Sequence, residues 1–315
     1  MTKAVLKTIM ESQIAWIGVG IMGKTEKGMV KNITQKAGLS KPIIIYDISE
    51  DRLNQVHAEI QGTVKAKSIK EAAARAQIIF YSVPDDRACL SVLNDILSAG
   101  VKGKLIIDCS TIHPDTTNSE ARRVEAGGGR FVACPVFGAA AMADAGQLIC
   151  VLAGQKDAVD EVKPFCAGVM GKSNIDLSGE EPGQATRLKV LGNSFVLNMV
   201  EALSEGLVVA EKSGLGGRNL HKFIEIMFPG PYTAYSTRML TGDYYKHDKP
   251  LFSVDLARKD ARHAQSIAQQ SGTVMRNVEL ADNYLKIVQE HKGSAGELAA
   301  MYGAKRLEAG LPFEN

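Results

Sequence analysis

Short apolar runs alternate with amphipathic stretches through residues 1–180, and helical spacing alone follows from there to the end of the chain. The runs Gln13 to Ile17, Pro42 to Tyr46, Gln77 to Val83, Lys104 to Cys109 and Ile149 to Ala153 have the length of strands. Helical stretches at Ser68 to Arg75 and Asp85 to Ser98 separate them. Such alternation predicts a parallel sheet covered on both faces, whose ligands bind beyond the carboxyl ends of its strands. The longest periodic stretch is Gly183 to Ser213, where Leu188, Leu191, Phe195, Met199, Leu203, Leu207 and Ala210 step by three and four. Glu180, Glu181 and Pro182 suit the start of a helix, and Gly214, Gly216 and Gly217 supply its exit. At ~1.5 Å per residue this helix runs roughly 45 Å, long enough to span a junction between two domains. Asn219 to Met227, Val254 to Gln270 and Val274 to His291 are also helical in spacing, with a helix-poor segment at Phe228 to Pro231. The expected architecture is an α/β domain with a doubly wound sheet over residues 1–180, joined by the long helix to an all-α domain over residues 181–315.

Composition narrows the classes. The chain has 315 residues, with 37 basic against 35 acidic side chains and a formal charge of +2. It shows no Lys/Arg tract, so no nucleic-acid partner is expected. Five cysteines, Cys89, Cys109, Cys134, Cys150 and Cys166, are odd in number and form no C-x-x-C pair, which predicts reduced thiols. No stretch reaches the ~20 apolar residues of a membrane span. Residues 1–17 carry Lys3, Lys7 and Glu11 with no Arg and no continuous apolar core. A signal peptide is therefore not expected; the reading is cytoplasmic, with a mitochondrial presequence as the weaker alternative. The six histidines are scattered without metal-ligand spacing, so no metal site is expected, and no G-x-S-x-G elbow occurs.

The first apolar run leads directly into Gly18-Val19-Gly20-Ile21-Met22-Gly23, and Met22, Met29, Val30 and Ile33 then mark a helix. A G-x-G-x-x-G turn between a strand and a helix is the context of a dinucleotide site in a Rossmann-type domain. Gly18 permits the tight turn, Gly20 lets a pyrophosphate reach the backbone, and Gly23 lets the helix pack close to the strand. The helix N-terminus then offers free N–H groups to phosphate. Asp47, 24 residues after Gly23, ends the second run and is placed to accept from ribose hydroxyls, which favours NAD over NADP. Capping of the helix from Ser49 is the alternative for Asp47, and Arg52 keeps NADP open.

Two further strand ends face the same crevice. Val83-Pro84-Asp85-Asp86 sets a turn beside the dinucleotide, and Asp108-Cys109-Ser110-Thr111-Ile112-His113-Pro114 sets hydroxyls at the next strand end. Ser110 and Thr111 could equally cap the helix that Pro114 opens. Gly138 to Ala141 are small enough for backbone N–H groups to approach a ligand carboxylate, or for the loop to pack closely on the sheet. On the long helix, Lys189 and Asn193 stand at i and i+4, so their side chains leave one face toward one ligand. Tyr232, Tyr235, Tyr244 and Tyr245 surround the Pro-Gly segment, either closing over a substrate or packing beneath a loop.

Taken in order, these stretches resemble the β-hydroxyacid dehydrogenase family, the 3-hydroxyisobutyrate dehydrogenase-like branch of the 6-phosphogluconate dehydrogenase superfamily. Gly18, Gly20, Ile21, Met22 and Gly23 resemble its cofactor loop, and Asp108, Ser110, Thr111 and Pro114 its D-x-S-T-x-x-P. Pro135, Val136, Gly138, Ala145, Gly146 and Leu148 resemble its substrate loop. Gly183, Lys189 and Asn193 resemble the G-x-x-x-x-x-K-x-x-x-N of its interdomain helix, and Phe252, Leu256, Lys259 and Asp260 its final K-D motif. The resemblance implies hydride transfer between a nicotinamide cofactor and a small substrate with a carboxylate. Lys189 is then the catalytic acid/base and Asn193 holds substrate; Ser110, Gly138 and Ala139 contact the carboxylate, and Lys259 lies near nicotinamide and substrate. It also implies a homodimer or homotetramer. Oxidation by such an enzyme needs Lys189 to shed its proton, which burial and a nearby Lys259 would favour.

Three positions depart from the family pattern. Phe137 stands where a serine is usual, Ala139 where a glycine is usual, and Gly192 where a second asparagine is usual. These changes bear on the substrate and leave the cofactor untouched. They motivate a second reading, an imine or ketone reductase on the same plan, against which Lys189 counts. A third is a nucleotide-binding module without turnover, which would have no need of that lysine.

Overall fold

Runs of residues buried on both faces build the first unit. The computed structural model describes residues 9–20, 25–247 and 249–315. The expectations for Ile21, Met22 and Gly23, and residues 1–8 of the segment read for targeting, lie outside the described residues. Strands β1 Ile14–Ile17, β2 Ile43–Tyr46, β3 Thr63–Lys65, β4 Ile78–Tyr81, β5 Leu105–Asp108 and β6 Arg130–Ala133 pair in parallel in the order 3-2-1-4-5-6. That order reverses between β1 and β4, which opens a crevice at their carboxyl ends. β7 Val136–Phe137 and β8 Leu148–Gly154 extend the sheet. β8 runs antiparallel to both β6 and β7, and β9 Gly171–Ser178 pairs in parallel with β8. β6 and β7 are in effect one strand interrupted by Cys134 and Pro135, because both pair along β8.

The strands are shorter than the apolar runs. Ser82 N still donates to Ile17 O at 3.0 Å, but Ser82 and Val83 have left the strand and turn into the crevice. Helix starts follow local chemistry: Ser49 Oγ caps Glu50–Glu59, Ser68 Oγ caps Ile69–Arg75 and the Asp85 carboxylate caps Asp86–Ser98. Helix Pro114–Ala126 is capped by His113, whose side chain accepts from Asp115 N, so the expectation that Ser110 and Thr111 could cap it is corrected. The helix-poor segment is present at Phe228 to Gly230, and Pro231 already opens the helix Pro231–Thr241. Gly230 takes φ 95° before Pro231, whose missing N–H is harmless at a first helical position.

The long helix spans Gly183–Lys212, and the chain divides into two compact units at Lys189 and Val190, inside it. A helix that serves two cores changes its buried face along its length. Leu188 packs on the first unit's core, whereas Val190, Leu197, Val200, Leu203 and Leu207 belong to the second unit's core. Phe195 falls outside both and is 76% exposed, so it does not belong to the buried stripe. The second unit is completed by Gly217–Met227, Pro231–Thr241, Val254–Gln270, Arg276–Lys292 and Met301–Glu308. Tyr244 is part of its core: the hydroxyl donates to Phe313 O, and the ring meets Tyr302 edge-on at 5.7 Å. Packing is therefore what the tyrosine cluster does there. Among the described residues no helix is long and apolar enough to cross a membrane.

Two groupings in the first unit join residues far apart in sequence. Cys134, Cys150 and Cys166, all free thiols, bring their sulfurs within 4.8 Å of one another, and Cys109 reaches Cys134. Beneath the crevice, Asp108 and Glu120 are both fully buried, and Tyr81 Oη donates to Glu120 Oε2 at 2.9 Å. Asp108 Oδ1 accepts from Ser110 N at 2.8 Å. Asp108 Oδ2 and Glu120 Oε1 have no hydrogen-bond partner among the described residues, and a carboxyl oxygen of each lies within 4.8 Å of the other, so burial of two like charges favours a proton kept on one of them. Burial raises Asp108 to about 6, against the bonds from Ser110, and raises Glu120 to about 9, the Asp108 charge adding to the effect. The folded state thus holds protons that the unfolded chain has released. Their stabilisation is complete below the ordinary carboxyl range and is lost as pH rises through about 6 and about 9. Thermal unfolding of the parent protein should occur at falling temperature between those values. Glu120→Gln, whose amide cannot ionise, should flatten the upper part of that slope; identical slopes would refute a proton kept on Glu120.

Candidate active site

At the switch point the backbone of β1 closes on that of β4. Gly18 takes φ 82°, and a Cβ there would lie 2.2 Å from Ser82 O, so no other residue fits without moving the strand end. Gly20 follows at φ 107°. Asp47, at the end of β2, is 6% exposed and stitches this turn in place. Its Oδ2 accepts from Val19 N at 2.9 Å and its Oδ1 from Ser49 N at 2.8 Å, with Arg52 Nη1 at 3.4 Å. Because Ser49 is the helix cap, Asp47 is not one, and its carboxylate stays at the glycine turn.

Val83 and Ser110 meet across the ends of β4 and β5, Val83 N donating to Ser110 Oγ at 3.0 Å. Pro84 follows Val83 and leads into the turn capped by Asp85. Asp86 Oδ1 accepts from both His113 N at 2.9 Å and Thr116 Oγ1 at 2.7 Å, tying this turn to the one after β5.

Glu26 was not singled out by the sequence reading. It lies in the first turn of helix Thr25–Lys36, and its Oε2 sits 2.7 Å from where a Gly20 Cβ would be. Ser82 Oγ donates to its other oxygen at 3.2 Å. Burial raises its carboxyl above the ordinary value, the Asp47 charge adding to this and the backbone, Ser82 and Arg52 opposing it. A carboxylate six residues after Gly20 has no sequence signal except its charge at a helix start, where acids are common.

Phe137 closes β7 by pairing with Ile149, and Gly138 follows at φ 137° with Leu148 Cδ2 2.6 Å from its would-be Cβ. Ala139 precedes the short helix Ala140–Asp144. That helix is fastened to Thr25–Lys36: Gly28 leaves room for the Ala143 backbone, and Asn32 Nδ2 donates to Ala143 O at 2.7 Å. Small residues in this loop therefore serve close packing. Lys189 stands over it, 9% exposed, with Nζ 4.5 Å from the centre of the Phe137 ring. The start of its helix is anchored in the first unit by Gly183 N donating to Asn118 Oδ1 at 2.7 Å and by Thr117 and Thr186 hydroxyls 3.0 Å apart.

Within the second unit, Asn193 is 7% exposed and donates from Nδ2 to Asp260 Oδ2 at 2.6 Å. Lys259 Nζ lies 3.3 Å from Asp260 Oδ1. Asp260 thus aims the asparagine and pairs with the lysine, a role its place in the K-D motif did not disclose. Lys189 and Asn193 remain one turn apart because the helix is continuous through both.

Chemically, the first unit offers two positive-φ glycines, a carboxylate fixed at the end of β2 and hydroxyl and backbone groups at the ends of β4 and β5. This donor set fits an adenine dinucleotide, save that Glu26 brings negative charge to the glycine turn. The comparisons agree. Residues 13–179 match the NAD-binding domain of 6-phosphogluconate dehydrogenase, and residues 183–304 match the NAD-binding domain of NADP-dependent 3-hydroxyisobutyrate dehydrogenase. The chain is 32% identical over 286 residues to the NADH-dependent oxidoreductase ucdB of Aspergillus ustus, covering 90% of this chain and 97% of that one. It is 26% identical over 310 residues to 2-hydroxy-3-oxopropionate reductase of Escherichia coli (strain K12), covering 94% and 98%. A crystal structure of 3-hydroxyisobutyrate dehydrogenase from Salmonella typhimurium shares the fold, with a TM-score of 0.80 at 18% identity over 93% of this chain and 99% of that one. The glycine turn, the fold and the match along both halves together establish that the chain belongs to the β-hydroxyacid dehydrogenase family of NAD(P)-dependent oxidoreductases acting on CH–OH groups.

Proposed function

We propose that this chain transfers a hydride between NAD, in preference to NADP, and a small β-hydroxyacid or its semialdehyde of the 3-hydroxyisobutyrate kind, with Lys189 as general acid/base. The observation that carries this reading is a buried lysine beside the loop at Phe137 and Gly138, followed one helical turn later by a buried asparagine. When bound, the nicotinamide supplies or accepts the hydride. Lys189 donates a proton to the carbonyl oxygen in reduction and takes the hydroxyl proton in oxidation. Asn193, aimed by Asp260, holds substrate, and Ser110, Gly138 and Ala139 are assigned to its carboxylate. Lys259 is assigned to nicotinamide and substrate, its charge kept in place by Asp260. Gly18, Gly20 and Val83 with Pro84 line the dinucleotide, and Asp47 takes the ribose hydroxyls. The Asp47 carboxylate at the turn supports NAD, because it opposes a 2′-phosphate; Arg52 is drawn to Asp47 itself. The 32% identical relative, named as NADH-dependent, agrees with this. Apolar side chains exposed on the second unit, among them Val209, Phe223, Ile226 and Met227, support a homodimer or homotetramer.

Lys189→Ala should leave NADH binding near the parent value and cut turnover on small β-hydroxyacids and semialdehydes by about 100-fold or more. Retention of roughly a third of turnover, on the scale of that expected loss, would remove Lys189 from the chemistry. Titration with NADH and NADPH should favour NADH in the parent protein, and Asp47→Ala should cost about tenfold in NADH affinity, the size of one lost hydrogen bond to a charged group. Equal affinities in the parent would overturn the NAD assignment. For Glu26, the carboxylate opposes pyrophosphate while ionised and ceases to do so once protonated. Dinucleotide affinity should therefore rise as pH falls, and Glu26→Gln should bind NADH about tenfold more tightly at neutral pH. Unchanged affinity would mean that the side chain leaves the turn when the cofactor arrives.

A further inference from the structure

We infer that Cys134, Cys150 and Cys166, with Cys109 as the fourth ligand, form a thiolate site for a Zn(II) ion that fastens the ends of β5 and β6 to β8. The sulfurs of Cys134, Cys150 and Cys166 all lie within 4.8 Å of one another, and those of Cys134 and Cys166 are 4.0 Å apart. Cys134 is the common neighbour, since it also meets Cys109. At a zinc–sulfur bond of about 2.3 Å the sulfurs of a tetrahedral site stand about 3.8 Å apart, so the three already lie near the spacing that a bound ion imposes. All four thiols are free and at most 4% exposed. Apolar packing needs only volume at these positions, whereas four sulfurs meeting in one place add a shared set of donors.

The donor type selects the ion. Mg(II) and Ca(II) take oxygen ligands, and a set made of sulfur alone suits a thiophilic ion. Four sulfurs leave no open position, which is the form of a structural zinc site and not of a catalytic one. On binding, hydrated Zn(II) gives up its water, each ligating thiol loses its proton to solvent, and a sulfur–zinc bond replaces the S–H bond. No electron changes hands.

The ligands come from separate places in the first unit. Cys109 follows β5, Cys134 stands at the interruption between β6 and β7, Cys150 lies in β8, and Cys166 ends the 3-10 turn Lys163–Phe165. No short motif announces them, because sheet order brings them together, and the scattered histidines do not report on the site. An ion there joins the strand end that precedes Ser110 to the strand on which Val136 and Phe137 are registered. It would stiffen the root of the loop that carries Gly138.

The probe is Co(II), which replaces Zn(II) in thiolate sites and is strongly coloured by them. Parent protein produced in cobalt-supplemented medium, or refolded with Co(II) under reductant, should carry a single ion per chain, with an intense near-ultraviolet sulfur-to-cobalt band and the visible bands of a tetrahedral site. Added Zn(II) should bleach both. Zinc-loaded parent should unfold about 5–10 °C above the metal-free parent. Cys150→Ser and Cys166→Ala should lose the sulfur-to-cobalt band, whereas Cys89→Ser, whose thiol lies in a separate apolar cluster, should keep it. Circular dichroism checks that each variant is folded, and if one is not, the spectrum of the parent decides. A folded parent that takes up no cobalt, or holds it with only the weak spectrum of oxygen and nitrogen ligands, overturns the site. So does a full sulfur band in folded Cys150→Ser.

Discussion

The approach of two backbones at Gly18 is the constraint from which the crevice follows. A side chain at this position would strike the Ser82 carbonyl at 2.2 Å, so the strand ends meet only where the side chain is absent. Once they meet, Val19 N reaches the Asp47 carboxylate on one side, and Val83 N reaches Ser110 Oγ on the other. Ser110 N in turn rests on Asp108. Four strand ends are therefore linked by short bonds that begin at one missing side chain, and the elements that would touch a dinucleotide and its substrate are placed before either binds.

Charge is handled differently above and below that crevice. Beneath it, Asp108 and Glu120 are fully buried, where two ionised carboxyls would be very costly; burial raises both carboxyls, and Tyr81 donates to Glu120. At the glycine turn, Glu26 sits beside Gly20 with its carboxyl raised above the ordinary value, chiefly by loss of water. The first arrangement stiffens the support of Ser110. The second places an ionisable carboxyl beside Gly20 in the glycine turn.

The long helix Gly183–Lys212 takes part in two cores. Its first two turns are fastened to Asn118 and Thr117, and its later turns pack Leu197, Val200 and Leu203 into a separate helical core. Lys189 and Asn193 sit where one environment gives way to the other. Their relation to each other is fixed by helix geometry alone, whereas each has a contact within its own unit: Lys189 Nζ with the Phe137 ring and Asn193 with Asp260.

Local patterns revealed much of this because they depend on near neighbours in the chain. Apolar runs located the strands, the glycine turn located the switch point, and the i and i+4 spacing placed Lys189 with Asn193 on one helix face. Helix caps were less legible, since several polar residues near a helix start compete and only the path of the chain chose His113 over Ser110 and Thr111. Phe195 was misplaced because one periodicity was drawn through a helix that buries different faces in two cores. The sequence by itself determined the fold class, the family and the residue types at the strand ends. Only the tertiary structure decided that Glu26 enters the glycine turn, that Glu120 lies beside Asp108, that three cysteines meet, and that Phe137 lies under Lys189. Except for Glu26, those contacts join residues of different strands, helices and turns that the fold brings together, and no local spacing encodes them.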